Sequence, residues 1–143
     1  MSLQTRYDSD NVFAKIIRGE IPAVKILEDD EVLVLMDAFP QTKGHALVIS
    51  RTAHAVNLLD VPPAALTRMI LAAKEVADAI VRALKPDGFR IVQYNGAPAG
   101  QSVFHLHFHI IPVWEGEAVG SHAHKMADPA DLEDTAKAIR EQL

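Results

Sequence analysis

Gly100-Gln101-Ser102-Val103-Phe104-His105-Leu106-His107-Phe108-His109-Ile110-Ile111-Pro112 sets three histidines at alternate positions in an otherwise apolar run. Alternation with period two predicts a half-buried strand. On such a strand His105, His107 and His109 share one face, while Phe104, Leu106, Phe108 and Ile110 share the other and enter a core. Imidazoles titrate near neutral pH, and a row of them is costly to bury without chemical work to do. The stretch therefore marks a half-buried strand and points to chemistry on it.

Working outward, Asn95-Gly96-Ala97-Pro98-Ala99-Gly100 is a flexible loop, and Phe89 to Tyr94 before it is a strand. Lys85-Pro86-Asp87-Gly88 stops an amphipathic helix that follows Pro62-Pro63 and runs from Ala64 to Leu84. Its predicted stripe is Leu66, Met69, Ile70, Ala73, Ala77, Ile80 and Leu84, with steps of three and four. Val24 to Leu27, Val32 to Met36 and Ala46 to Ser50 read as three more strands, the first two joined by the acidic turn Glu28-Asp29-Asp30-Glu31. Asp10 or Asn11 caps a short helix carrying Val12, Phe13, Ile16 and Ile17, which Gly19 ends. Asp128-Pro129 opens a C-terminal helix with Leu132, Ala136, Ile139 and Leu143 in line. About five mainly antiparallel strands, two longer helices and a short N-terminal helix predict an α+β layer fold. No repeat or linker divides the chain, so 1–143 reads as a single domain, with 1–9 flexible and 116–143 a variable tail carrying a helix.

A chain of 143 residues fits one domain, and 49% hydrophobic residues supply a core without cross-links. The absence of cysteine excludes disulfides, thiolate zinc sites and a cysteine nucleophile. A net charge of -5 without a basic run argues against a nucleic-acid partner, whose phosphates need neutralising. No apolar stretch approaches the roughly 20 residues that span a bilayer, and the polar Met1 to Asp10 lacks the apolar centre of a signal peptide. The expectation is a soluble cytoplasmic protein without a membrane partner.

Two chemistries suit the histidine row. Neutral imidazoles bind zinc, but residues two apart on a strand lie about 6.5–7 Å apart, so His105 and His109 are separated by roughly 13 Å. Zinc ligands must come within about 2.0–2.1 Å. Two of the three can converge on one ion, with His45, His54, His122 or His124 completing the set; all three on an unbent strand cannot. Alternatively a histidine attacks phosphorus and carries a nucleotidyl group, while its neighbours donate hydrogen bonds to the phosphoryl oxygens. The glycines of 95–100 permit close approach to an anion, with Gln101 and Ser102 adding polar groups. The expectation is acid–base and nucleophilic catalysis with no metal and no cofactor. His45 is either a buttress to the row or a structural residue. Asp37 is either a sugar acceptor or a turn residue, and Phe13 and Ile16 either line a base pocket or form a helix stripe facing the core. His122 and His124 read as part of a solvated loop.

The stretch from Gly100 to Pro112 resembles the signature of the histidine triad (HIT) family, His-x-His-x-His followed by apolar positions. Asn11-Val12-Phe13-Ala14-Lys15-Ile16-Ile17-Arg18-Gly19-Glu20-Ile21-Pro22 resembles the N-terminal segment of that family. Leu35-Met36-Asp37-Ala38-Phe39-Pro40 and Gly44-His45-Ala46-Leu47-Val48-Ile49 resemble its central block. The resemblance implies a homodimer with a sheet continuous across the interface. It implies hydrolysis of a purine nucleotide at its α-phosphorus, with nucleoside phosphoramidates or dinucleoside polyphosphates as substrates. A nucleotidyltransferase, a non-catalytic nucleotide-binding regulator and a metal-dependent hydrolase are the alternatives. The nucleophile falls on His107; His109 and Ser102 contact the phosphate; His105 supports His107 through its backbone carbonyl, and His45 pairs with the side chain of His105. Asp37 matches the ribose-binding carboxylate, Val12, Phe13, Ile16, Leu35 and Ala38 surround the base, and Asn95 and Gln101 lie near the phosphate. Many members carry Arg after the closing proline, where Val113 stands here.

Overall fold

Asp29 starts the fold by closing a hairpin: its Oδ1 accepts from the backbone N–H of Glu31 at 2.7 Å and of Val32 at 2.9 Å. The chain, a computed structural model, is described over residues 3–121 and 125–143. The hairpin joins β1 (Lys25–Glu28) to β2 (Val32–Met36), and β3 (Ala46–Ser50) pairs antiparallel with β2. Helix α1 (Val12–Ile17) precedes them, and α2 (Pro63–Leu84) leads to β4 (Gly88–Val92). A short 3-10 turn (Ala97–Ala99), β5 (His107–Val113) and α3 (Pro129–Arg140) complete the chain. The strands form one antiparallel sheet in the order β1-β2-β3-β5-β4.

Apolar material covers both faces of the sheet, so β2 and β3 are buried along their whole length and read as unbroken apolar runs. One face carries Val34, Val48, Phe108 and Ile110 against the buried residues of α2 and α3. The other carries Leu33, Leu35, Leu47 and Ile49 against Phe13 and Ile16 of α1. Leu47 lies opposite His109 and Ile49 opposite His107. Directly opposed residues share a face, so both histidines emerge on the α1 side while Phe108 and Ile110 enter the other core.

Several boundaries and faces differ from the sequence reading. The histidine strand begins at His107, because the last β3–β5 pair is Ile49 with His107. His105 precedes it in a bend, and the next amide, Leu106 N–H, bonds the Ala55 carbonyl instead of a strand. Ile70 of the predicted α2 stripe is 43% exposed, and Val76, Ala72 and Ala79 take the core positions. Ala72 and Ala79 let the sheet and α3 approach closely within the chain. Leu143 is exposed, past the end of α3, while Leu132, Ala136 and Ile139 are buried as expected. The tail is tied to the domain: Gly120 N–H bonds the Gln41 carbonyl at 2.8 Å and Ala127 N–H the Ala38 carbonyl at 2.9 Å. The amino-terminal arm, expected to be flexible, is also anchored, with Leu3 O accepting from Asn57 Nδ2 at 3.0 Å. No helix among the described residues is long and apolar enough to cross a membrane.

Candidate active site

A cavity of about 690 Å³ opens on the α1 side of the sheet, and its wall holds nine of the predicted residues: Val12, Phe13, Ile16, Leu35, Asp37, Ala38, Ser102, His107 and His109. It is largely apolar, with the charged and hydrogen-bonding groups gathered toward Asp37, Ser102 and the two histidines. Glycine at position 44 permits the turn that delivers His45: its φ is +88°, and a Cβ there would meet Leu84 Cδ1 at 2.5 Å.

The partners of each imidazole assign its tautomer. His107 Nδ1 lies 2.7 Å from the His105 backbone carbonyl, which can only accept. The proton of neutral His107 is therefore on Nδ1, and Nε2 is the basic nitrogen. Gln41 N–H donates to His45 Nδ1 at 3.0 Å, so neutral His45 carries its proton on Nε2. That proton faces His109 Nδ1 at 2.9 Å, with Asp37 Oδ2 also near, 3.3 Å from the same Nε2. His109 Nδ1 accepts, which places the proton of neutral His109 on Nε2. The rings of His107 and His109 stand 4.9 Å apart, centre to centre. Two adjacent histidines thus differ in kind, one a base at Nε2 and the other a donor at Nε2.

This geometry corrects one expectation. His45 pairs with His109, not with the side chain of His105. His105 lies beyond the end of the β3–β5 ladder, and its Nε2 instead faces the Ser50 carbonyl at 3.3 Å. Its backbone carbonyl does support His107, as the resemblance implied. Asp37 is a turn residue, its Oδ1 accepting Phe39 N–H at 2.8 Å, and it also lines the cavity.

Asn95 and Gln101 are absent from the cavity wall. Gln101 is buried and spends its amide on backbone: Oε1 accepts from Gly96 N–H at 2.8 Å, and Nε2 donates to Val56 O at 2.6 Å and Val103 O at 3.1 Å. Asn95 Oδ1 accepts from Leu58 N–H at 2.8 Å. Both shape the loop that delivers Ser102. His122 and His124 lie outside the described residues. The sequence reading missed the far wall, Met126, Ala127, Pro129 and Leu132 of the C-terminal segment, together with Phe39 and Ile21. Hydrogen bonds to Ala38 and Gln41, with the packing of α3 on the core, bring that segment over the cavity, and no local pattern announces them.

Burial pushes the His105 imidazole down to about 4, against the opposing pull of the Ser50 carbonyl and with help from the nearby His107 and His54. The folded protein holds His105 neutral, whereas the unfolded chain protonates it near 6.5. Its contribution to stability is complete above about pH 6.5 and is lost as pH falls toward 4, amounting to about 3 kcal/mol by the linkage of pKa to free energy. Urea denaturation at pH 7, 5.5 and 4.5 should show this decline, and a His105→Gln variant should flatten it. An unchanged pH slope in the variant would refute the assignment. Asp29, lowered to about 2 chiefly by the Val32 and Glu31 amides and by Arg68, acts in a separate window below about pH 3.8.

An antiparallel five-stranded sheet with a histidine row emerging beside a nucleotide-sized cavity defines a histidine triad domain. The HIT domain family matches residues 18–116, and the chain belongs to this family. It is 40% identical over 124 residues to the Arabidopsis thaliana protein adenylylsulfatase HINT3, covering 82% of this chain and 62% of that protein. A crystal structure of a Hit-like protein involved in cell-cycle regulation from Bartonella henselae superposes with a TM-score of 0.92 at 42% identity, covering 97% of this chain and 100% of that one. A zinc-bound histidine triad family protein from Mycobacterium smegmatis superposes with a TM-score of 0.80 at 34% identity, covering 93% and 92%.

Proposed function

We propose that the protein is a nucleotide hydrolase that cleaves at the α-phosphorus of adenosine or another purine nucleotide. The observation that carries this reading is the pair of Nδ1 contacts, His107 Nδ1 on the His105 carbonyl and His109 Nδ1 on His45 Nε2, which assign opposed roles to the two Nε2 atoms in one cavity wall. His107 Nε2 attacks phosphorus, forming a P–N bond as the bond to the leaving group breaks, and the His109 Nε2 proton passes to that group while His45 Nε2–H shares its proton with His109 Nδ1. Water then attacks phosphorus and returns a proton to His109 Nε2, the P–N bond breaks with its electron pair going back to His107 Nε2, and the nucleoside monophosphate departs. Asp37 receives the ribose hydroxyls, Ser102 faces the phosphate, and Phe13, Ile16, Val12, Leu35 and Ala38 enclose the base. The Arabidopsis relative is named for adenylyl sulfate, an adenylyl group on an acidic leaving group. Nucleoside phosphoramidates and dinucleoside polyphosphates present the same electrophile. A nucleotidyltransferase would differ only in the acceptor that replaces water.

The test is a panel of an adenosine phosphoramidate, adenylyl sulfate, diadenosine tetraphosphate and a sugar nucleotide, read as nucleoside monophosphate released. Release from none of them sinks the hydrolase reading. A sugar nucleotide cleaved only when phosphate is present would favour the transferase.

A metal-dependent reading has one observation in its favour. Asp37, His45 and His109 are buried and present ligand atoms within 4.8 Å of one another, and the Mycobacterium smegmatis relative is zinc-bound. An ion there would have to displace the His45–His109 hydrogen bond. Elemental analysis decides between the two: about one metal per chain, whose removal stops turnover, would replace the hydrolase mechanism above.

The assembly we propose is a homodimer through the β4 edge. Phe89 is 47% and Ile91 40% exposed on this outer strand. An unpaired strand edge lined with apolar groups is a template for another strand. Light scattering at micromolar concentration should give twice the 15.6 kDa chain mass. A monomer mass would refute it.

A further inference from the structure

We propose that Tyr7 is a positioning residue for the His107 nucleophile and acts through the ring of His105; the kinetic half of this proposal rests on the hydrolase reading above. Tyr7 is not in the cavity wall, so it works behind the site. Its ring stacks on His54 with centroids 5.0 Å apart and planes within 4°. Its hydroxyl lies 2.9 Å from His105 Nδ1. On its other side His105 presents Nε2 to the Ser50 carbonyl at 3.3 Å, and a carbonyl can only accept. The proton of neutral His105 is therefore on Nε2, and Nδ1 receives the tyrosine O–H. Of the two hydrogen bonds that orient this ring, the one to Tyr7 is the shorter.

The consequence reaches the nucleophile because of where His105 lies. Strand pairing between β3 and β5 stops at His107, so the peptide of His105 has no partner in that ladder to hold it. Yet the carbonyl of this peptide receives His107 Nδ1–H at 2.7 Å and so sets both the direction of the His107 ring and which of its nitrogens is basic. The Leu106 N–H of this peptide bonds the Ala55 carbonyl at 2.9 Å, and the His105 side chain, only 2% exposed, adds its own hydrogen bonds to hold the bend. Phe13 meets both rings edge-on, at 6.0 Å from His105 and 5.0 Å from His107, and constrains their positions without assigning a proton. Assigning it falls to Tyr7 and Ser50. The arm that carries Tyr7 is itself fixed at both ends, by the Asn57 bond to Leu3 and by Asn11 N–H and Asn11 Nδ2 on the Asp8 carbonyl.

Tyr7→Phe keeps the ring and its stack and deletes one hydroxyl. The expected result is a kcat lowered roughly tenfold with KM within about twofold, the pattern of a misaligned nucleophile rather than a lost binding contact. Nitrogen-15 correlation spectra of the histidines should show His105 protonated at Nε2 in the wild type and a mixture of tautomers in Tyr7→Phe, with the His107 Nδ1–H signal displaced. Unchanged kcat or unchanged tautomers in the variant would overturn the proposal. So would a wild-type His105 protonated at Nδ1, a reading that needs no variant. The spectra need no substrate: if the wild type cleaves nothing in the panel the hydrolase reading fails, and the tautomers still decide whether Tyr7 orients His105 and His107.

Discussion

Replacing His107 by alanine is expected to lower kcat for nucleoside monophosphate release by about a thousandfold or more, with AMP affinity within roughly tenfold of the wild type. The size follows from the role: without Nε2 at this position no P–N bond forms, and a neighbour cannot substitute. His109 carries its proton on Nε2 because its Nδ1 accepts from His45, and His105 turns both ring nitrogens away toward Tyr7 and Ser50. Binding should survive because the proposed base and sugar contacts lie on Phe13, Ile16 and Asp37, which the substitution leaves in place. A denaturing quench at alkaline pH, where P–N bonds persist, should recover the nucleotidyl group on His107 of the wild type during turnover. A His107→Ala protein with near-normal kcat would remove the central step.

The second large effect is expected at Asp37. Its carboxylate caps the turn through Phe39 N–H, faces His45 Nε2 and lines the cavity. Alanine would remove all three functions, so Asp37→Asn is the cleaner substitution: it keeps the turn acceptor and the volume and deletes the charge. Each charge-assisted hydrogen bond to a ribose hydroxyl is worth about 1.5–3 kcal/mol. The preference for AMP over its 2′- and 3′-deoxy analogues should therefore contract by about tenfold or more, measured by titration calorimetry. Preference among bases should change less, because the wall proposed for the base is apolar. An undiminished ribose preference in the variant would leave Asp37 as a turn and histidine-pairing residue only.

What the sequence determined by itself is local and periodic. Alternation assigned His107 and His109 to one face and Phe108 and Ile110 to the other, since side-chain direction along a strand follows from backbone geometry alone. The apolar runs at Val32–Met36 and Ala46–Ile49, the proline and cap at the start of α3, and the Gly19 stop were equally readable, because each expresses a constraint within a few residues. The family was legible too, in the motif from Gly100 to Pro112. Tertiary structure decided which groups meet across long separations. His45 lies 64 positions from His109 and bonds it rather than His105, because β3 ends at Ser50 and leaves His105 beyond the sheet. Backbone groups of Gly96, Val56 and Val103 turned Gln101 from a phosphate candidate into a brace for its own loop. Met126 and Leu132 reach the cavity because backbone hydrogen bonds tie the tail to the turn after β2 and α3 packs into the core. Helical periodicity placed Ile70 inside, but the faces offered by α3 and the sheet exposed it and buried Val76 and Ala79. Proton positions in the histidine row belong to the same class: they follow from donors and acceptors on Gln41, Ser50, Tyr7 and the His105 peptide, and their convergence is a property of the folded chain.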